Sequence, residues 1–80
     1  MNRQLQNIIK KHPAYKSHTE VQSYHGFTLV RVSYRKHPDY DGGERLEAWD
    51  DNNEYLCDVE DKIDFEEQVD ELLAVRDEED

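Results

Sequence analysis

Cys57 is the only cysteine, and His12, His18, His25 and His37 are the only histidines, so these five side chains bound the nucleophilic and soft-metal chemistry open to the chain. One thiolate cannot build a cysteine-rich zinc site. No two histidines stand at the i, i+4 spacing that brings two imidazoles onto one helix face. Cys57 and a distant histidine could be written as a nucleophile pair, but a cysteine within an alternating strand reads as a small buried hydrophobe. The run Asp50-Asp51-Asn52-Asn53-Glu54 carries oxygen donors of the calcium type. It lacks the glycine and the distal glutamate of a calcium loop, and it reads as a polar hairpin turn. Gly42-Gly43 precede Glu44 and an acidic strand, the wrong sign for cradling phosphate. Carboxylates crowd the second half of the chain, but an acid–base pair needs desolvation to pull its two pKa values apart, and a charged surface supplies none. The expectation is a non-enzymatic chain with no catalytic residues, no metal and no cofactor.

What the chain has in excess is charge, unevenly placed. Eighty residues carry a net charge of −10. Residues 1–38 hold seven bases (Arg3, Lys10, Lys11, Lys16, Arg31, Arg35, Lys36) against Glu20 alone, a local charge of +6, together with all four histidines. Residues 39–80 hold nineteen acids against Arg45, Lys62 and Arg76, a local charge of −16. Asymmetry of this kind points to an interaction surface, and the net sign repels nucleic acid and anionic membranes while attracting basic proteins. Hydrophobic residues make up 35% of the chain, which is polar for a folded domain, but eight aromatics argue against wholesale disorder. One domain over 1–80 with a modest core is expected. No disulfide can form within a chain of one cysteine, no signal-peptide pattern is present, and the longest apolar runs, such as Leu72 to Val75, are far too short to span a membrane. These features predict a cytoplasmic protein.

The elements that must carry this charge follow from periodicity. Leu5, Ile8 and Ile9 make one apolar stripe on a short helix capped by Asn2 and ended by Pro13. Residues 14–19 read as a loop. Val21 to Tyr24 and Phe27 to Arg35 read as strands joined through His25-Gly26. Lys36 to Gly43 reads as a loop, and Glu44 to Asp50 with Glu54 to Val59 as a second hairpin around Asp51-Asn52. With a two-residue turn there, Ala48 faces Tyr55 and Leu46 faces Cys57, and these four share a side of the sheet with Val59. Arg45, Glu47, Trp49, Glu54, Leu56 and Asp58 then fall on the other side. Phe65, Val69, Leu72 and Leu73 repeat at helical spacing, Asp64 with Glu67 resembles a capping box, and residues 77–80 form an acidic tail expected to fray. The prediction is an α+β domain of order α-β-β-β-β-α: a four-stranded antiparallel sheet of two hairpins, with an N-terminal and a C-terminal helix packed on one face.

One sequence echo stands out. Lys11-His12-Pro13-Ala14-Tyr15 recurs as Lys36-His37-Pro38-Asp39-Tyr40. It reads as two similar loop punctuators, where proline stops the preceding element. The functional alternative is a paired basic-aromatic contact to a phosphate or an acidic groove.

The acidic half offers the strongest binding signal. Glu66 and Asp70 stand four apart on the last helix, as do Glu67 and Glu71. Four residues rise about 6 Å along a helix, which roughly matches every second phosphate of a DNA strand at about 3.4 Å per nucleotide. With Glu47, Glu54 and Asp58 on the open sheet face, a negative surface would span two elements. Trp49 falls among those acids beside Leu56 in the register above, where an exposed indole would anchor an interface. Its alternative is burial under the N-terminal helix, in a different register. The predicted partner-binding set is therefore Glu47, Trp49, Glu54, Asp58, Glu66, Glu67, Asp70 and Glu71.

In size, acidity, α+β reading and residues such as Glu47, Asp58, Glu66, Glu67, Asp70 and Glu71, the chain resembles small phage-encoded inhibitor proteins, including anti-CRISPR proteins and other DNA mimics. The resemblance implies a basic nucleic-acid-binding protein or complex as partner, such as a CRISPR effector, and steric and electrostatic blockade of its nucleic-acid site, with no direct contact to nucleic acid. Its basic first third departs from a uniformly acidic mimic. Two other readings follow from the same charges: an acidic adaptor or antitoxin-like chain neutralising one basic protein, and a small nucleic-acid binder using the basic N-terminal pole.

Overall fold

The computed structural model describes residues 2–78, with side chains to residue 76. Asn2 caps the first helix, α1 (Arg3–Lys10), its Oδ1 accepting from the Leu5 amide at 2.7 Å. Four strands follow: β1 (Tyr15–Tyr24), β2 (Phe27–Tyr34), β3 (Gly43–Trp49) and β4 (Tyr55–Val59); helix α2 (Lys62–Glu78) ends the fold. Expected order and class are both present. Neighbouring strands pair antiparallel in chain order, β1-β2-β3-β4, so the sheet is a simple meander with β1 and β4 as its edges. His25 and Gly26 both take positive φ, +53° and +84°, the mirror-image turn whose twist suits a two-residue hairpin. No helix among the described residues is long and apolar enough to cross a membrane.

The two helices, expected on one face of the sheet, lie on opposite faces. Phe27, Leu29, Ala48 and Val59 pack with Phe65 and Val69 of α2. Val30, Val32 and Trp49 pack with Leu5 and Ile9 of α1. Phe27, Leu29, Val30 and Val32 are all 0% exposed, so β2 is buried on both sides. A strand between two layers carries an apolar run instead of strict alternation, which is what Phe27-Thr28-Leu29-Val30 supplies.

Three local readings also change. β1 begins at Tyr15, inside the stretch expected to be a loop, and it carries register shifts near Lys16 and Val21. The β3–β4 turn is longer than two residues: Asp50 accepts the Asn52 and Glu54 amides on Oδ1 at 2.8 and 2.9 Å, and Asn53 takes φ +63°. Leu46 therefore faces Val59, Ala48 faces Cys57, and an irregularity after Ala48 sets Trp49 opposite Tyr55. Tyr55 moves to the α1 side and Leu56 to the α2 core, the reverse of the expected assignment. The cap of α2 lies one turn earlier than Asp64 and Glu67: Asp61 Oδ1 accepts from the Asp64 amide at 2.8 Å, while Asp64 Oδ2 accepts from the Glu60 amide at 3.2 Å. α2 runs on to Glu78, and residues 79–80 of the tail expected to fray lie outside the described residues.

The sequence echo proves to be one turn used twice. His12 Nδ1 accepts from the Ala14 amide at 3.0 Å and His37 Nδ1 from the Asp39 amide at 3.1 Å. Tyr15 and Tyr40 each donate their amide to the carbonyl of the histidine three residues back, both at 3.0 Å. The punctuator reading accounts for both copies. They also meet in space, with the His12 ring 4.8 Å from that of Tyr40.

Candidate functional site

Two surfaces carry the predicted residues, and the sheet divides them. α1 is eight residues long, or about 12 Å. Its N-terminus is tied to the β3–β4 turn, Asn2 donating to Asn53 Oδ1 at 3.0 Å and Asn53 donating to Gln4 Oε1 at 3.3 Å. A helix so short covers Val30, Val32 and Trp49 and leaves the β4 side of the face open. There a groove of about 440 Å³ lies between the flank of α1 (Ile8, Ile9) and the β3–β4 strands (Glu47, Trp49, Tyr55, Asp58), lined also by Tyr34, Arg45, Lys11 and His12.

Glu47 is only 6% exposed. It pairs across the ladder with Asp58, so two carboxylates are neighbours on one face. Burial, and then the charge of Asp58, holds the Glu47 carboxyl above the ordinary range, with the Tyr34 hydroxyl and Arg45 opposing the shift. The Tyr34 hydroxyl donates to Glu47 Oε2 and the Tyr55 hydroxyl to Asp58 Oδ1, the latter at 2.6 Å. Both phenols are pushed well above their ordinary range, first by burial and then by these carboxylate acceptors. They remain neutral donors under ordinary conditions. Arg45 lies over the Tyr34 ring at 5.6 Å and forms no ion pair with Glu47.

Trp49 is the main correction. It is 8% exposed, packed beneath α1 and edge-on to Tyr55 at 5.7 Å between centroids. It is a core residue that forms the groove floor, not an exposed anchor. Glu47, Trp49 and Asp58 share one face as expected, but that face carries a helix. The Trp49 indole N–H is buried without a hydrogen-bond partner.

The α2 acids form the second surface, on the far side of the sheet from Glu47 and Asp58. Glu66 Oε1 accepts from Gln22 Nε2 at 2.6 Å and Asp70 Oδ1 from the Tyr24 hydroxyl at 2.8 Å, which ties this row of carboxylates to edge strand β1. Glu67 and Glu71 form the neighbouring row and are exposed. Glu54 is exposed at the end of the β3–β4 turn. The single continuous surface expected from sequence is thus two surfaces: a half-buried groove and an exposed helix.

Tyr34, Tyr55 and Arg45 join the site beyond the expected set. The pairing of Glu47 with Asp58 was legible from strand alternation, but Tyr55 reaches the groove only through the irregularity after Ala48. Among the described residues no group of three or more His, Cys, Asp or Glu side chains could hold a metal ion. Burial, then Asp64 and Asp58, raises the Cys57 thiol above its ordinary range, the opposite of an activated nucleophile. Compared with protein-family models, with curated proteins and with solved structures, the chain matches none.

Proposed function

We propose that the chain is a non-enzymatic inhibitor that occupies the basic nucleic-acid site of a protein effector, such as a CRISPR complex in a bacterial cytoplasm, through the acidic outer face of α2. The observation that carries this reading is the pairing of exposed carboxylates with a rigid support. Glu67 and Glu71 face solvent, while Phe65 and Val69 of the same helix are 0% exposed and locked against the sheet. Asp70, held by Tyr24, stands beside them. The packed helix fixes the backbone that carries these carboxylates, and their spacing of about 6 Å along the axis suits lysines and arginines arranged for phosphates. A net charge of −10 adds long-range attraction to any basic cleft.

The test is competition. A nucleic-acid-binding effector is incubated with its labelled DNA and increasing amounts of the protein, and displacement is followed by fluorescence anisotropy. The protein should displace DNA, and Glu67→Lys with Glu71→Lys should abolish displacement without lowering the melting temperature. Displacement that survives both reversals would remove α2 from the mechanism. The protein alone should not shift DNA in a low-salt gel titration, since nonspecific affinity comes from neutralising phosphates; a clear shift at micromolar protein would favour the basic pole instead.

A further inference from the structure

The groove beside α1 is built differently from the α2 surface. Its two carboxylates are cross-strand neighbours, Glu47 nearly closed from solvent and Asp58 exposed. Among the described residues no cation pairs with either of them. The rings of Trp49, Tyr34 and Tyr55 line the same space. Trp49, 8% exposed, supplies the floor of the groove. Carboxylates flanked by aromatic faces form an environment suited to an organic cation, which gains from charge and from ring quadrupoles together. A volume of about 440 Å³ has room for a long side chain and its backbone.

We propose that the groove receives an arginine side chain of the basic partner, the guanidinium lying between Glu47 and Asp58 and against the Tyr55 ring. Arginine fits better than lysine because its planar fork can meet two carboxylates while stacking on aromatic faces, and because it is less strongly hydrated. This rests on the reading of the partner as a basic protein, but it concerns the opposite side of the sheet from α2. A partner engaging both surfaces would have to wrap an edge of the sheet. Arg45, which lies over Tyr34, and Lys11 also line the groove, and their like charges weaken the site.

The probe is N-acetyl-arginine amide, with the uncharged N-acetyl-citrulline amide as its isostere. Trp49 is the only tryptophan, so its emission reports on the groove. Arginine amide should change that emission saturably, with a dissociation constant on the order of 1–10 mM, as expected for a single side chain. Citrulline amide should bind at least about tenfold more weakly, as should the arginine probe to Glu47→Gln and to Asp58→Asn. Arg45→Ala should tighten binding about two- to fivefold by removing a like charge. Asp58 is exposed, so its variant keeps the test valid should Glu47→Gln fail to fold. Equal binding of the two probes, no binding of either, or unchanged binding to Asp58→Asn overturns the proposal. Binding that appears only in Arg45→Ala overturns it in favour of Arg45 as the groove's own occupant. The titration needs no effector, so its failure leaves the α2 reading standing, and failure of the DNA competition leaves the groove standing.

Discussion

Truncating Trp49 to alanine should weaken the protein severely. The indole is 8% exposed and packs with Leu5, Ile9, Val30 and Val32, so it joins α1 to the sheet. Removing a buried aromatic side chain costs about 3–5 kcal/mol. Part of that is recovered, because the partnerless indole N–H imposes a penalty of about 1 kcal/mol on the folded state that alanine does not have. The groove beside it also lets water reach some of the vacated space. The net loss is about 2–4 kcal/mol, against a total stability of about 4–12 kcal/mol for a domain of this size. For domains of 60–100 residues each kcal/mol moves Tm by about 4–8 °C, so Trp49→Ala should melt about 10–30 °C below the parent. Trp49→Phe keeps most of the packing, discards the N–H, and should stay within about 8 °C. Far-ultraviolet circular dichroism melts of the three proteins provide the measurement. An alanine variant melting within about 3 °C of the parent would mean that α1 does not depend on this side chain. A phenylalanine variant falling as far as alanine would mean that the indole N–H is well bonded after all.

Other outcomes follow from the same geometry. Glu47 binds a proton more tightly folded than unfolded, so from the ordinary carboxylate range up through its raised pKa its contribution to stability falls as pH rises. Glu47→Gln should therefore be more stable than the parent at neutral pH in urea titration and should lose that slope; a variant less stable at pH 7 would show that the ionised form is favoured. Asp61→Ala should cost about 1 kcal/mol as the loss of a helix cap, whereas Glu67→Ala should stay within about 0.5 kcal/mol in parallel melts. Reversed magnitudes would restore the cap to Asp64 and Glu67. Association with a basic effector should slow as salt rises, and a rate that stays flat across a salt series would leave the acids with a solubilising role only.

Element order and most of the strand faces were legible in the residues alone. Leu5, Ile8 and Ile9 marked α1, His25-Gly26 marked the first turn, and Phe65, Val69, Leu72 and Leu73 marked α2, because each signal is local and repeats at the period of its own element. Alternation also placed Glu47 and Asp58 together, since side chains two apart on a strand must share a side. What alternation leaves open is which helix covers which side. The apolar pair Leu29-Val30 in β2 was the available sign that both faces are covered. The β3–β4 register turned on Asp50 accepting two amides and Asn53 taking positive φ, which lengthens the turn and carries Tyr55 to the other face. Packing between distant elements makes Trp49 floor instead of anchor, and sets the acids of α2 and those of β3 and β4 on opposite sides. A residue's exposure depends on what packs over it from elsewhere in the chain, and no local period records where an eight-residue helix comes to rest.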